Sequence, residues 1–152
     1  MRAFVAIDIP ETSLQALLAL QSALSVGRPV PEENLHLTLA FMADIPVSAE
    51  ESVDAALTGL RSAPVEVGFA GLAGLGPAGE AAVTVAVVAS PTLVALQAKI
   101  ERDLRRAGLE LPRRRFRPHV TLSRLRKDLD GSGAARLGTA LAGGAGTDIP
   151  GF

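Results

Sequence analysis

Both histidines of this chain lie in nearly identical tetrapeptides, His36-Leu37-Thr38-Leu39 and His119-Val120-Thr121-Leu122. Side chains along a β-strand alternate between its two faces, so each histidine would share a face with the threonine two positions later, and the apolar residues would face a core. An imidazole titrates near neutral pH and can give or take a proton. The pattern therefore predicts an acid–base pair with a hydroxyl group beside each ring.

A purely structural explanation of either motif is that the histidine is half-buried on its strand and bonds to a backbone carbonyl. It explains one copy well, but it leaves the repetition of the histidine, the threonine and the trailing leucine unexplained. The repetition favours the chemical interpretation over the structural one.

A cluster of cations surrounds the second histidine, although the chain as a whole has a formal net charge of −1. Any attraction for a polyanion must therefore be local. A solvated charged loop is the usual explanation of such a run, but its position on both sides of His119 favours an anion-binding site equally. The cluster comprises Arg113, Arg114, Arg115, Arg117, Arg124, Arg126 and Lys127.

Other chemistries fit the sequence less well. Two histidines alone cannot complete a zinc site, and no acidic residue stands at a familiar ligand spacing from either. The chain has no cysteine and no G-x-S-x-G motif, which excludes thiolate catalysis and weakens the case for a serine nucleophile. Residues Gly74–Gly79 match G-x-G-x-x-G, but they lead into a β-branched segment rather than a helix, so we interpret them as a turn.

Metal-free acid–base catalysis remains, and it suits in-line attack at phosphorus. One imidazole would take a proton from water while the other protonates the departing alkoxide on the far side. Thr38 and Thr121 could donate to the non-bridging oxygens. A five-membered cyclic phosphate is an apt substrate, because its ring strain lowers the barrier enough to dispense with a metal.

The composition predicts one domain over residues 1–152 with a sizeable core, since 48% of the residues are hydrophobic. Asp8 and Pro10 come too early for a signal peptide, and the longest apolar run, near Val85–Ala89, is too short to span a membrane. We expect a soluble cytoplasmic protein without a membrane partner.

Local patterns predict the elements that carry the two motifs. Strands are predicted at Phe4–Ile9, Val65–Phe69 and Ala82–Ala89. A first helix is predicted after the capping residues Glu11–Ser13, because Leu14, Leu17 and Leu24 follow a helical spacing. Further helices are predicted at about residues 48–61 and from Ser90 onward. Ser48 with Glu51 resembles a capping box. The Ala/Gly-rich stretch Gly131–Gly146 is either a weak helix or a mobile connection.

The order strand, helix, loop, histidine strand occurs twice. Residues Leu93-Val94-Ala95-Leu96 resemble Leu14-Gln15-Ala16-Leu17, at a similar distance before the histidine. We interpret this as an internal duplication that makes the two histidine strands face each other; the alternative is a chance likeness of two amphipathic helices.

These residues together resemble the 2H phosphoesterase superfamily, and within it the bacterial RNA 2′,3′-cyclic phosphodiesterases, historically called 2′-5′ RNA ligases. The resemblance extends over nearly the whole chain. It is carried by Arg2-Ala3-Phe4-Val5-Ala6-Ile7, Glu33-Asn34-Leu35-His36-Leu37-Thr38-Leu39-Ala40-Phe41 and Phe116-Arg117-Pro118-His119-Val120-Thr121-Leu122-Ser123-Arg124.

The resemblance implies a bilobal, pseudo-symmetric α+β fold, with two antiparallel sheets flanking a central cleft and helices outside. It makes His36 the proton donor and His119 the proton acceptor, with Thr38 and Thr121 binding phosphate. The family also has an aromatic or basic residue five positions after each histidine, here Phe41 for base stacking and Arg124 for the phosphate or nucleotide. Five is an odd number, so both need a bulge or strand end to reach the cleft.

The expected function is hydrolysis of RNA 2′,3′-cyclic phosphate ends to 2′-phosphates, without metal or other cofactor, by a monomer. The expected partners are RNA with such ends or cyclic nucleotides. Two alternatives stay open: 2′-5′ RNA ligase or 2′-5′ phosphodiesterase activity, and a non-catalytic module that binds RNA ends or nucleotides. Family members usually continue beyond a segment like Asp148–Phe152 with further strands, so the C-terminal strands are interpreted as shortened, which would expose a sheet edge.

Overall fold

The computed structural model describes residues 1–75, 82–125 and 131–152. They contain six strands and four α-helices. In chain order they are β1 (Ala3–Asp8), α1 (Glu11–Leu24), β2 (Arg28–Pro29), β3 (His36–Met42), α2 (Glu50–Thr58), β4 (Phe69–Leu75), β5 (Ala82–Val87), α3 (Pro91–Arg106), β6 (His119–Arg124) and α4 (Gly131–Ala142). Short 3₁₀ helices cover Glu32–Asn34 and Val47–Ala49.

The strands form an antiparallel sheet in the order β1-β3-β6-β5-β4, and β2 pairs with the end of β6. Its two halves, β1 with β3 and β4 with β5 and β6, meet through one residue pair, Leu37 with Val120. The α+β class and the pseudo-symmetric family fold are thus confirmed. The two expected antiparallel sheets are joined into one at this pair, whose side chains are both fully buried.

The described topology also repeats. A strand, a helix and a histidine strand paired antiparallel with the first strand occur as β1-α1-β3 and again as β5-α3-β6. Each helix packs across the middle of the molecule, since α1 contacts β6 and α3 contacts β3. This arrangement agrees with an internal duplication.

The core lies between the helices and one face of the central strands. Leu37 and Leu39 of β3 and Val120 and Leu122 of β6 are buried there. The helices contribute buried apolar residues at helical spacing, namely Leu17 and Leu24 from α1 and Leu93, Ile100 and Leu104 from α3. The opposite face of β3 and β6 is left for the histidines and threonines.

Several predicted elements are shifted or wrong. Residues 65–68 are not a strand, and β4 begins only at Phe69, because the backbone of Val67 pairs with Phe152 instead of a sheet strand. Ser48 does not cap α2: it lies within the 3₁₀ helix, and α2 begins at Glu50 without a side-chain cap. Gly74 and Leu75 of the predicted Gly74–Gly79 turn belong to β4, and the rest of that turn lies outside the described residues.

Other local predictions are confirmed. Ser90 caps α3, with its hydroxyl oxygen accepting from the Leu93 amide at 3.3 Å, and Pro91 occupies the first turn. The Ala/Gly-rich stretch forms α4 as far as Ala142. Among the helices described, none has the length and apolar character needed to cross a membrane.

Candidate active site

The two histidine motifs lie on neighbouring antiparallel strands. Pairing of Leu37 with Val120 sets His36 beside Thr121 and Thr38 beside His119 on the face away from the core. All four polar side chains are half-buried, whereas the two paired apolar residues are fully buried. Each imidazole therefore has a threonine of the other strand as its cross-strand neighbour.

Both strands contain a β-bulge at the fourth residue of the motif. The register with β1 passes from Thr38 to Ala40 and leaves Leu39 as the extra residue. The register with β5 passes from Thr121 to Ser123 and leaves Leu122 as the extra residue. Two consecutive residues are thus buried on each strand, Leu39 with Ala40 and Leu122 with Ser123. Beyond the bulge, the residues that face the core and those that face the pocket have exchanged odd and even positions.

The bulges return Phe41 and Arg124 to the face that carries the histidines. Both side chains are exposed there, although they stand an odd number of positions after His36 and His119. A regular strand would have turned them toward the core. The bulges that the sequence pattern required are therefore present at equivalent positions.

One open pocket of about 540 Å³ lies over these strands, within the size range of small-ligand sites. All six residues selected from the sequence line it: His36, Thr38, Phe41, His119, Thr121 and Arg124. The described structure thus brings both imidazoles into one groove. The pocket also includes residues to which the sequence assigned no role, namely Phe4, Arg28, Pro29, Val30, Pro31 and Asn34.

The ring of His119 is held by a hydrogen bond to the backbone just before its own strand. Its Nδ1 lies 2.7 Å from the carbonyl oxygen of Arg117. A carbonyl oxygen can only accept, so Nδ1 carries the hydrogen and donates it. In the neutral ring, Nε2 is then the nitrogen with a free lone pair. This tautomer suits a group that takes up a proton.

The ring of His36 is held differently. It stacks on the phenyl ring of Phe4, with centroids 4.6 Å apart and planes 14° apart. This near-parallel arrangement limits the tilt of the imidazole while leaving its ring edge open to the pocket. Phe4 is 52% exposed, which is unusual for an aromatic side chain on a short strand.

Two arginines face each other at the end of the groove. Arg28 of β2 is the cross-strand partner of Arg124 of β6, and both line the pocket. Within the described residues, neither forms an ion pair. Like charges in directly opposed positions repel each other, so this pair would be relieved by an anion between them.

A second pocket, of about 450 Å³, adjoins the first and shares Thr38, Phe41 and His119 with it. Its wall includes Leu111, Pro112 and Phe116, with Arg114, Arg115 and Arg117 at the exposed side. Three arginines of the predicted cation cluster therefore lie at this second pocket, and Arg124 lies at the first. Arg113 is exposed but lines neither pocket, and Arg126 and Lys127 lie outside the described residues.

The described residues contain no group of three or more histidine, aspartate or glutamate side chains that could hold a metal ion. The polar side chains that line the groove carry imidazole, hydroxyl, guanidinium and carboxamide groups. This set can move protons and stabilise an anion.

The family is decided by comparison with known proteins. The sequence model of the 2′-5′ RNA ligase superfamily matches residues 10–141, which include both histidine strands. The chain belongs to this superfamily. The resemblance to the 2H phosphoesterases seen in the motifs is thereby confirmed.

Relatives within the superfamily agree. The chain is 30% identical over 131 residues to the RNA 2′,3′-cyclic phosphodiesterase of Geobacillus stearothermophilus, an alignment that covers 80% of this chain and 41% of that protein. It is 24% identical over 131 residues to the enzyme of the same name from Archaeoglobus fulgidus, covering 84% and 74% of the two chains. The chain thus spans less than half the length of the Geobacillus relative.

Solved structures of the superfamily share the fold. The apo structure of E. coli LigT matches with a TM-score of 0.67 at 26% identity, covering 81% of this chain and 71% of that one. The complex of LigT with 3′-AMP matches with a TM-score of 0.65 at 26% identity, covering 84% and 74%.

The pocket residues that the sequence did not predict differ in whether the sequence pattern contains any signal for them. Asn34 stands two positions before His36 but belongs to a 3₁₀ helix, so strand periodicity does not extend to it. Phe4 lies in an apolar run that reads as a buried strand, and only its exposure in the fold reveals it. Arg28 is brought to Arg124 by a pairing between distant residues, for which the sequence carries no local signal.

Proposed function

We propose that this protein hydrolyses 2′,3′-cyclic phosphates, at RNA 3′ ends or in cyclic nucleotides, to 2′-phosphates without a metal ion. The observation that carries the proposal is that His36 and His119 line one pocket and stand in equivalent positions on two pseudo-symmetric strands. In-line displacement at phosphorus needs a base on the entering side and an acid on the leaving side. Two imidazoles that line one pocket can supply both.

In this mechanism His119 is the base and His36 the acid. Nε2 of His119 takes a proton from water as the water oxygen bonds to phosphorus. The bond from phosphorus to the ribose O3′ breaks, and His36 gives its proton to O3′. The product carries a 2′-phosphate and a free 3′-hydroxyl, and proton exchange with solvent restores both rings. The Nδ1 bond to Arg117 supports this assignment, because it leaves Nε2 of His119 to accept.

The neighbouring residues bind the substrate. Thr38 and Thr121 donate hydroxyl hydrogens to the non-bridging oxygens, which gain charge in the transition state. Arg124 with Arg28 attracts the phosphate or nucleotide, and the exposed ring of Phe41 stacks on a base.

The relatives support a nucleotide or RNA substrate. Two curated relatives carry the name RNA 2′,3′-cyclic phosphodiesterase, and E. coli LigT binds 3′-AMP in a crystal structure. At 24–30% identity these names support the reaction class.

The proposal is tested by product analysis. The purified protein is treated with EDTA and incubated with adenosine 2′,3′-cyclic phosphate, and the products are resolved by ³¹P NMR. We expect 2′-AMP as the product. Absence of turnover, or formation of 3′-AMP alone, would refute the proposed reaction.

The second pocket favours one further candidate function. It begins at His119, the side from which the nucleophile enters in the proposed mechanism, and it is large enough for a nucleoside. If a 5′-hydroxyl of a second RNA replaced water there, its oxygen would bond to phosphorus, His119 would take its proton, and His36 would protonate O3′. The product would be a 2′-5′ linkage. Supplying a 5′-hydroxyl oligonucleotide with the cyclic-phosphate RNA distinguishes the two, because joined product appears only in the second case.

A further inference from the structure

Two glutamines bond to the bulges of the histidine strands: Gln21 lines neither pocket, and Gln97 lies in the wall of the second pocket. Nε2 of Gln97 in α3 donates to the carbonyl oxygen of Leu39 at 3.2 Å. Nε2 of Gln21 in α1 donates to the carbonyl oxygen of Leu122 at 2.7 Å. Leu39 and Leu122 are the extra residues of the two bulges. The two acceptor carbonyls stand at equivalent positions of the two bulges. The glutamines do not stand at equivalent positions of their helices, and the Leu122 carbonyl also accepts from the Val30 amide at 2.9 Å.

Each glutamine comes from the helix of the opposite half. Helix α1 precedes β3 but bonds to the bulge of β6, and α3 precedes β6 but bonds to the bulge of β3. The bonds therefore add to the links between the two halves, which also meet at the Leu37–Val120 pair and where β2 pairs with β6. Gln21 also donates to the carbonyl oxygen of Val30 at 2.9 Å, and Val30 lines the main pocket.

Gln97 is a polar residue in a buried position that is otherwise apolar. It is 7% exposed and lies on the apolar face of α3 with Leu93, Ile100 and Leu104. A buried amide there costs free energy unless it is hydrogen-bonded, and an apolar residue of the same volume would pack at least as readily. The bond that it makes is to the strand that carries His36 and Phe41.

The bulges decide which way Phe41 and Arg124 point. A strand with regular pairing in place of the bulge would turn every later side chain to the other face. The ring of Phe41 would then face the core and leave the pocket. A donor fixed to the extra carbonyl stabilises the bulged backbone against this alternative.

We propose that Gln97 and Gln21 are positioning residues for the substrate site: Gln97 holds the bulge that aims Phe41, and Gln21 holds the bulge that aims Arg124. The proposal rests on the proposed function for the roles of Phe41 and Arg124. It makes the two glutamines differ in effect, because one acts on base stacking and the other on phosphate binding.

The test uses Gln97→Met and Gln21→Met, which keep the side-chain length and remove the donor. Gln15→Met is the matched control, since Gln15 is an exposed α1 residue bonded only to Glu11 among the described residues. Calorimetry measures the Kd of 2′-AMP and of methyl riboside 2′-phosphate, which lacks a base. Thermal unfolding verifies that each variant is folded. These binding measurements need no turnover, so they stand even if the proposed hydrolysis fails.

Gln97→Met is expected to raise the Kd of 2′-AMP about fivefold, which corresponds to the loss of one net hydrogen bond. It should leave the Kd of the base-free ligand unchanged. Gln21→Met is expected to raise the Kd of both ligands by a similar factor. Gln15→Met should leave both Kd values unchanged. In a double-mutant cycle, Gln97→Met should add nothing to Phe41→Ala.

Three results would overturn the proposal. One is an equal loss for both ligands in Gln97→Met, which would indicate a general structural role. Another is full additivity of Gln97→Met with Phe41→Ala. The third is unchanged 2′-AMP binding in a folded Gln97→Met. If Gln97→Met does not fold, Gln97→Asn, whose amide is too short to reach Leu39, takes its place in the same measurements.

Discussion

Phe4 covers one face of the His36 imidazole, with ring centroids 4.6 Å apart and ring planes 14° apart. Among the described residues this stack is the contact that holds His36, whereas His119 is held by a hydrogen bond to Arg117. The two rings of the proposed pair are thus fixed by different means. The β1 strand contributes to the site through this one side chain.

Replacing Phe4 by leucine should lower kcat for a 2′,3′-cyclic nucleotide on the order of fivefold, because a loosely oriented acid spends less time aligned with the leaving oxygen. Phe4→Tyr keeps the ring and is the control. Stability should change little, since Phe4 is 52% exposed. Steady-state kinetics with thermal unfolding measures both effects, and a Phe4→Leu protein with wild-type kcat would show that the stack is dispensable.

Arg28→Gln should separate binding from stability. Removing one charge of the opposed Arg28–Arg124 pair should stabilise the free protein by a few tenths of a kcal/mol. It should also raise KM for the cyclic nucleotide about tenfold at low salt, and less at high salt. Thermal melts and KM at two ionic strengths measure these effects. Arg106→Gln, which removes an equal charge outside both pockets, should leave KM unchanged.

The pair that joins the two halves should be important for stability. Val120 is 0% exposed and Val47 is 71% exposed, so the same substitution can be made in both environments. Val120→Ala should lower the free energy of unfolding by about 2 kcal/mol, through lost burial and a cavity. Val47→Ala should cost less than about 0.5 kcal/mol. Urea unfolding compares the two, and equal costs would contradict the described packing.

How much of this could be read from the sequence depends on whether the determinant is local. Strand periodicity put each histidine and its threonine on one face, and the odd spacing to Phe41 and Arg124 required a bulge that the fold contains. The family fold followed from the same motifs. These features are encoded within a few consecutive residues.

The remaining features depend on long-range pairing. Val65–Phe69 has the pattern of a strand, but the backbone of Val67 pairs with Phe152. Residues near Val67 in the sequence do not indicate this pairing. Ser48 and Glu51 fit a capping box, yet a 3₁₀ turn moves the helix start to Glu50. Likewise, the approach of Arg28 to Arg124 and of Gln97 to Leu39 exists only once the halves are assembled.

The separate roles of the two histidines can be tested with a leaving group that needs no proton. A nucleoside 2′-(4-nitrophenyl phosphate) releases nitrophenolate when water attacks phosphorus. His36→Ala should recover much of its lost activity on this substrate, because the acid is no longer required, while His119→Ala should stay impaired. Nitrophenolate release is followed by absorbance. Equal recovery in both variants would contradict the assignment of acid and base.

The most direct test of the central claim compares kcat/KM of wild type, His36→Ala, His119→Ala and the double variant on adenosine 2′,3′-cyclic phosphate. If both rings act on one phosphate, each single variant should lose about 100-fold or more, and the double variant should lose far less than the product of the single losses. A single variant that keeps near wild-type kcat/KM while remaining folded would show that the two histidines do not work as a pair.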